Sequence, residues 1–521
     1  MAPRHRLTVR SIDLDPRAGA LTTAAAQLGL ALERPGDVAV ADVYFIEGVL
    51  DEADRDRLHE LLVDPLLQEG SWDLPRTAGI EVTLLPGVTD AGGAALLRAA
   101  EQLGIAAGGA ATGRRIELGP DVTAEQADTI VRRVVANPIV ERWTEGHAEP
   151  AMHADTSASG LAEVVAIGGR PLDVLVKIGE QRALALDPEE LLAIQAHFAE
   201  LGREPTDVEL ETLAQTWSEH CAHKTFRARL SNTGDDDRSL LDRLRACTEE
   251  IAAPFVRSAF VGNAGIVAFG DGNETLALKA ETHNHPSAVE PFGGANTGVG
   301  GVIRDVLGIG HAAIAVTDVL CFGPPDTPLE MLPDGSLHPL RIREGVIDGV
   351  ADYGNKIGLP TVAGAILYDP GYTTNPLVYA GCIGEARGWQ PDAGPFPGDR
   401  VIVLGGRTGR DGIRGATFSS LTMDATTGAV AGASVQIGDP ITEKLLIDVI
   451  VGAEHLYTAI TDCGAGGLSS AIGEMAEHTG ADVELDRVPL KYPGLEPWEI
   501  WLSEAQERMV VAVPPESVAG L

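Results

Sequence analysis

Along residues 1–145, apolar positions alternate over short runs and then recur along one side of Ala- and Leu-rich stretches, a pattern that predicts strands followed by helices. The pattern occurs twice. Thr8, Asp15, Ala24, Gln27, Leu28 and Gly29 return 75 positions later as Thr83, Asp90, Ala99, Gln102, Leu103 and Gly104. Segment 43–48 is answered by 113–119, and the Pro65 region by Asn137-Pro138. Each unit reads as strand, helix, strand, helix. Gly29 or Gly104 stops the first helix, because glycine enters the left-handed conformation without steric cost. Residues 1–75 and 76–145 are therefore expected to be two small α+β repeats, each with little core of its own.

Residues 146–160 are small, polar and weakly patterned, as in a linker. Helical periodicity follows at 188–197 and 206–217, the second opening on Thr206 with Glu209 three residues on, so 146–220 reads as a linker and helical region. From Ala259 the period changes to short apolar runs at 265–269, 275–281, 312–320, 377–383 and 400–405, the signature of well-buried strands. A Pro- and Gly-rich stretch at 385–399 separates a domain over 221–385 from one over 386–521. The latter carries a helix at 441–451 and a strand at 508–513.

Composition narrows the function. A chain of 521 residues is too long for one ordinary core, and 61 Gly with 32 Pro and no collagen-like period imply many short elements joined by turns. The formal charge of −37 argues against a general nucleic-acid or anionic-membrane binder. A phosphorylated substrate stays open, since one Arg, one Lys or a metal ion reverses the sign inside a cleft. Five scattered cysteines without a CxxC pair suggest neither a disulfide framework nor a thiolate zinc site. No signal-like core opens the chain and no apolar run reaches the roughly 18 residues of a membrane span, so a cytoplasmic protein is expected.

Candidate chemistry centres on Glu281-Thr282-His283-Asn284-His285-Pro286. The preceding strand places Lys279 and Glu281 on one face, where a carboxylate can hold a hard cation while an ammonium meets phosphate oxygens. His283 and His285 exchange protons near neutrality; the alternative is a polar strand end. The run from Phe292 to Gly301 reads as a glycine loop whose N–H groups form an anion nest, with Arg304 to grip phosphate and Asp305 to join Glu281 on a metal, or else as a plain loop ending in a surface ion pair. His220 and His223 lie three apart at a helix end, as ligands or as a polar cluster. The segment 406–415 is a basic glycine loop suited to anions. Asp462, before a glycine-rich helix start, is a further metal carboxylate or a cap. Cys463 lacks a nearby base and reads as structural.

In this order, the motifs at 217–224, 279–287, 293–305, 406–420, 436–440, 461–468 and 502–508 resemble phosphoribosylformylglycinamidine synthase. The N-terminal units resemble the small accessory subunit of that enzyme's multi-subunit form, most clearly at 85–90 and 136–138. The resemblance implies an α+β chain with aminoimidazole-ribonucleotide-synthetase-like N- and C-domains behind the two repeats. It also implies ATP- and Mg2+-dependent conversion of formylglycinamide ribonucleotide to the amidine with glutamine-derived ammonia. Residue by residue, it implies His220 and His283 as catalytic, and His223 and Lys279 as ATP contacts. Glu281, Asp305 and Asp462 become Mg2+ ligands; Thr282, His283, Asn284, His285, Arg304, Gln436, Glu504, Ala505 and Gln506 become substrate contacts. His223 stands where the smaller form of the family has Tyr, and Ala505 where Ser is usual.

The family chain carries two related synthetase halves and this sequence corresponds to the first. The implied partners are therefore a glutaminase subunit supplying ammonia and a second half in cis or in trans, or a second copy through self-association. Two other readings remain at this point. One is a single-half enzyme of the aminoimidazole-ribonucleotide-synthetase or small-molecule-kinase type; the other is a noncatalytic scaffold for a glutaminase.

Overall fold

The computed structural model describes residues 3–27, 29, 38–74, 79–152, 158–229, 237–392, 394–419, 423 and 436–521. Leu28 of the repeat, Ser420 of the last glycine-loop motif and residues 153–157 of the linker lie outside the described residues. The chain divides into two compact units, Met1–Thr156 with Pro324–Arg341, and Ser157–Gly323 with Ile342–Leu521.

The first unit runs β1 (Arg4–Ser11), α1 (Pro16–Gln27), β2 (Val38–Gly48), α2 (Glu52–Leu62), β3 (Gln68–Trp72), β4 (Ile80–Leu84), α3 (Ala91–Gln102), β5 (Ala107–Leu118), α4 (Ala124–Ile130) and β6 (Glu141–Glu145). Its strands form one antiparallel sheet in the order β3-β1-β2-β5-β4-β6. Gly29 and Gly104 follow their helices at φ +69° and +71°, as the helix stops require. The expected four-element unit gains a closing strand in each half. Gln68–Trp72 and Glu141–Glu145 are short, polar and half-exposed, so no apolar alternation announced them. Ala18 and Ala25 of α1 pack with Val40, Ile80, Val82 and Ile116 of the sheet. On the sheet, buried Glu81 is bonded by Arg6 and, at 2.9 Å, by Arg115, which a carboxylate removed from water requires.

The second unit begins with helices α5 (Leu172–Gln181), α6 (Pro188–Glu200) and α7 (Asp207–Thr216), joined through Leu175, Leu191, Phe198 and Leu210. The expected Thr206 cap is a full capping box with Glu209. Then come α8 (Glu219–Ala222), α9 (Lys224–Arg227), α10 (Leu240–Ile251), β7 (Val256–Ser258), β8 (Gly265–Ala268), β9 (Glu274–Thr282), α11 (Asn284–Val289), α12 (Pro291–Leu307), β10 (Ala312–Phe322), α13 (Pro339–Ile357), β11 (Thr361–Tyr368) and β12 (Leu377–Arg387). The sheet order is β11-β10-β12-β9-β8-β7, antiparallel except for β10 and β11, whose parallel pairing requires the α13 crossover. The chain ends with β13 (Arg400–Gly405), α14 (Gly415–Ser419), α15 (Pro440–Ala453), β14 (Ala459–Asp462), α16 (Gly467–Met475), α17 (Pro497–Leu502) and β15 (Arg508–Val513), with sheet order β13-β15-β14. One core holds Val299, Val302 and Val306 of α12 against Val316 and Ala380 of the large sheet and Met509 and Val511 of β15. Among the described residues no helix is long and apolar enough to cross a membrane.

The glycine run 292–301 is corrected by this fold. It is the first half of α12, a 17-residue helix opened by the Glu290 side chain, and neither an open nest nor a surface loop. Helical glycine costs about 1 kcal/mol against alanine, so packing must repay it. A Cβ at Gly294 would lie 2.5 Å from the Pro286 carbonyl carbon, and one at Gly298 2.9 Å from His283 Cβ. On α13, a Cβ at Gly345 would lie 2.7 Å from Pro291 Cβ. The glycines let α12 touch the β9–α11 turn on one side and α13 on the other.

Two outcomes follow. Gly294→Ala pushes α12 off the Pro286–Ser287 backbone and should lower stability by about 1–3 kcal/mol in urea titration; an unchanged midpoint removes this account. Asp318 on β10 is 6% exposed, and neither of its carboxylate oxygens has a partner among the described residues. Burial pushes its pKa up to about 6, so its cost is full above that pH and fades as pH falls. Asp318→Asn should stabilise the chain by about 1–3 kcal/mol near pH 8, with the gain shrinking as pH falls below about 6. A pH-independent difference in melting temperature excludes this cause.

Candidate active site

A cavity of about 480 Å3 opens in the second unit where β9, α11 and α12 meet α8, α16 and the segment before β15. Its walls include His220, His223, Glu281, Thr282, His283, Asn284, His285, Arg304, Asp305, Gln436, Asp462, Glu504 and Gln506, so residues spread over nearly three hundred positions come together. Two expected site residues are not in the wall. Lys279 lies behind it, 3.1 Å from Glu281 and 2.9 Å from Asp305. Ala505 is fully buried, its N–H donating to Ser503 Oγ and its carbonyl accepting from Arg508, which leaves its backbone already engaged.

Strand periodicity explains the first group. Lys279 and Glu281 alternate to the α12 side of β9, and the next turn of α12 delivers Asp305 to the same ammonium. The cation treats its two neighbours differently. Burial pushes Glu281 up, but Lys279 and His220 outweigh it and hold the carboxyl below its ordinary range. Burial and the facing charge of Asp462 keep Asp305 well above that range despite Lys279. Burial also raises Asp462, which ends β14 and accepts from Asn263 Nδ2 at 2.8 Å. Gly466, and not Asp462, caps α16, so the cap alternative falls away.

His283 sits in the turn from β9 to α11. Its Nδ1 faces the Gly294 carbonyl at short range; an oxygen there only accepts, so Nδ1 carries the proton and Nε2 keeps a lone pair. Burial lowers its pKa against the pull of Glu281, favouring the neutral ring. His220 is lowered in the same way, with Glu281 opposing. Asn284 has a structural task as well, its Oδ1 accepting from the Val378 N–H of β12 at 2.8 Å.

A directional chain of side chains lines another part of the wall. Arg304 donates to Gln506 Oε1, Gln506 Nε2 donates to Gln436 Oε1 at 2.7 Å, and Gln436 Nε2 donates to Glu504 Oε2 at 2.7 Å. Arg304 is 2% exposed and also grips Glu443 at 2.9 Å, so the surface-pair alternative does not hold. The basic glycine loop turns inward: Arg410 pairs with Glu499 and Arg414 with Glu211, at 2.9 and 2.7 Å. Its anion is the chain's own Glu504, which accepts from the Ala416 N–H at 3.1 Å. All five cysteines are free, and burial pushes the Cys463 thiol up, as a structural role implies.

Sequence reasoning missed Asn263, Ser470 and Glu474 in the wall, and Tyr353 and Glu443 behind Arg304. None stands in a pattern of chemical residue types, and only the pairing of distant elements brings them in. An NMR titration should find His283 titrating below the ordinary 6.5 with its neutral form protonated at Nδ1. A proton on Nε2 would overturn the tautomer.

Comparison with known proteins matches four stretches of the chain. Residues 261–386 match the AIR synthase related protein N-terminal domain, and 397–521 its C-terminal domain. Residues 175–224 match the formylglycinamide ribonucleotide amidotransferase linker domain, and 77–146 the PurS model, phosphoribosylformylglycinamidine (FGAM) synthase. The chain is 41% identical over 350 residues to phosphoribosylformylglycinamidine synthase subunit PurL of Thermoplasma acidophilum, covering 66% of this chain and 44% of that protein. It is 41% identical over 330 residues to the Thermotoga maritima subunit, covering 62% and 47%. A solved structure of T. maritima PurL complexed with FGAR aligns at 39% identity over 63% of this chain and 48% of that one, with a TM-score of 0.49. The chain thus spans less than half the length of these relatives. With AIR-synthase-related N- and C-terminal domains, the linker domain and a PurS-like region ahead of them, the chain matches the PurL family of phosphoribosylformylglycinamidine synthases.

Proposed function

We propose that the cavity binds formylglycinamide ribonucleotide and ATP with Mg2+, and that it serves the ATP-dependent conversion of that ribonucleotide to its amidine by glutamine-derived ammonia. The observation that carries this reading is the wall itself: Glu281, Asp305, Asp462, Glu474 and Glu504 share one cavity with the Arg304 guanidinium and the four imidazoles of His220, His223, His283 and His285. A polyphosphate does not enter such a space without added positive charge.

The donor set fits Mg2+. Hard carboxylate oxygens are present at Glu281, Asp305 and Asp462, and Mg2+ commonly takes one or two carboxylates and fills the rest of its shell with water and phosphate. When bound, the cation neutralises charge on the phosphates during transfer.

The chain's own groups take the remaining tasks. An amide oxygen leaves poorly; once phosphorylated by ATP it leaves as phosphate when ammonia adds to the carbon. As the amide becomes the phosphorylated imidate its N–H proton must go to a base, and His283 Nε2 offers a neutral lone pair. His220 lines the same space from α8; His223, in the left-handed conformation between α8 and α9, also lines it, which supports a nucleotide contact there. Arg304, Gln506, Gln436 and Glu504 form a preordered wall for the substrate, and Thr282, Asn284 and His285 line the same cavity. Lys279 meets the nucleotide only if Glu281 or Asp305 yields it to the metal. We also infer that residues 1–75 and 76–145 are two copies of one accessory unit, on the 75-residue offset and on the order β3-β1-β2 set against β5-β4-β6. The partners implied are a glutaminase subunit and a second synthetase half, in cis or in trans.

The test combines the purified chain with MgATP, formylglycinamide ribonucleotide and ammonia, with and without a second synthetase half. His283→Ala should reduce amidine formation by about 10²–10⁴-fold while changing ATP affinity less than about threefold. Absence of calorimetric binding of both ligands to the wild-type chain overturns the reading; unchanged turnover in the variant removes the role of His283.

A further inference from the structure

Behind the cavity wall, Tyr353 of α13 touches two carboxylates. Its hydroxyl is 2.6 Å from Glu443 Oε2 and 2.9 Å from Glu507 Oε1. A phenol has one proton to donate, so it satisfies only one of two ionised oxygens. The other contact needs a second proton. Glu443 Oε2 also accepts from Arg304 NH1 at 2.9 Å, so that oxygen is an acceptor twice over and is not the one that carries it. The second proton therefore belongs on Glu507.

The backbone keeps Glu507 there. Its φ is +58°, the left-handed region that costs a branched or long side chain strain, and its carbonyl accepts from the Gly406 N–H at 2.8 Å. Gly405, at φ +108°, admits that carbonyl so closely that any Cβ would collide with it. The residue is 4% exposed.

We propose that Glu507 is a positioning residue that carries a proton in the folded chain. It donates to the Tyr353 oxygen, Tyr353 donates to Glu443, and Glu443 stays an ionised clamp on Arg304 at the cavity wall. The groups that face Glu507 are Tyr353 from α13, Glu443 and the Asp439 N–H from α15 and its cap, and Arg304 from α12; Asp462 of β14 acts on Glu443. Burial, and then the charge of Glu443, push Glu507 up to about 7, with Arg304 opposing. Burial raises Glu443 too, but there Arg304 and the Tyr353 hydroxyl lead the opposition. Because the folded pKa lies above the ordinary 4.5, the stability tied to this proton is full below about pH 4.5 and lost as pH rises through about 7. Above that, two anions flank one oxygen, and the strain falls on Arg304 and on Gln506, the neighbour of Glu507 that Arg304 also holds.

The test compares the wild-type chain with Glu507→Gln, whose amide donates to Tyr353 at every pH. Between about pH 6 and about pH 8.5 the wild-type melting temperature should fall more steeply than that of the variant; parallel curves overturn the proposal. Over the same interval formylglycinamide ribonucleotide should weaken on the wild type about fivefold more than on the variant, the ligand's own titration cancelling in the ratio. Equal weakening overturns the coupling to Arg304. This second arm rests on the functional reading above: no binding to wild type at either pH sinks that reading and leaves the melting curves to decide the proton. If Glu507→Gln does not fold, neutron diffraction of the wild-type chain at about pH 6 decides it: two deuterons, one bonded to Glu507 Oε1 and one between the Tyr353 oxygen and Glu443 Oε2, support the proposal, and a single deuteron on the Tyr353 oxygen overturns it.

Discussion

The site is organised around one ammonium. Lys279 Nζ stands about 3 Å from carboxylates on two different elements, Glu281 on its own strand and Asp305 on α12. Carboxylates withdrawn from water neutralise themselves by taking protons unless a cation stands close. Lys279 keeps Glu281 ionised, and it leaves Asp305 poised above its ordinary range because Asp462 faces it. The same contact fixes the pitch of α12 against β9, so charge placement and helix placement are one constraint.

Packing makes that contact possible. Without glycine at 294 and 298, α12 could not lie on the β9–α11 turn, and His283 would lose the Gly294 carbonyl that sets its tautomer. Alternating strand residues, a glycine-faced helix and a histidine turn thus serve one geometry. The Arg304–Gln506–Gln436–Glu504 chain is equally prearranged, each of its three links a donor aimed at an acceptor. Such a wall reorganises little when a ligand arrives, which is where electrostatic catalysis gains most.

Much of this was legible in the residues. Apolar alternation located β8, β9, β10, β12, β13 and β15, and the Thr206–Glu209 box located α7. The run from Glu281 to His285 announced a site because consecutive polar groups after a buried strand are costly unless they act. Several strands escaped, among them β3, β6 and β11. β11 is exposed along its whole length and β3 is polar, so neither carries the alternation that marks a half-buried strand. The run 292–301 was misread because glycine density signals loops wherever the neighbour that demands close approach is out of view.

By itself, then, the sequence determined which residue types could carry chemistry and on which side of a strand such as β9 they stand, because period and residue type are local properties. Tertiary structure decided what those residues do to one another. It turned the basic loop inward onto Glu504, took Ala505 out of the wall, and set Tyr353 between two carboxylates separated from it by 90 and 154 positions. Those outcomes depend on distances between elements far apart in the chain, and electrostatic energies change steeply with distance and burial. No local pattern encodes them.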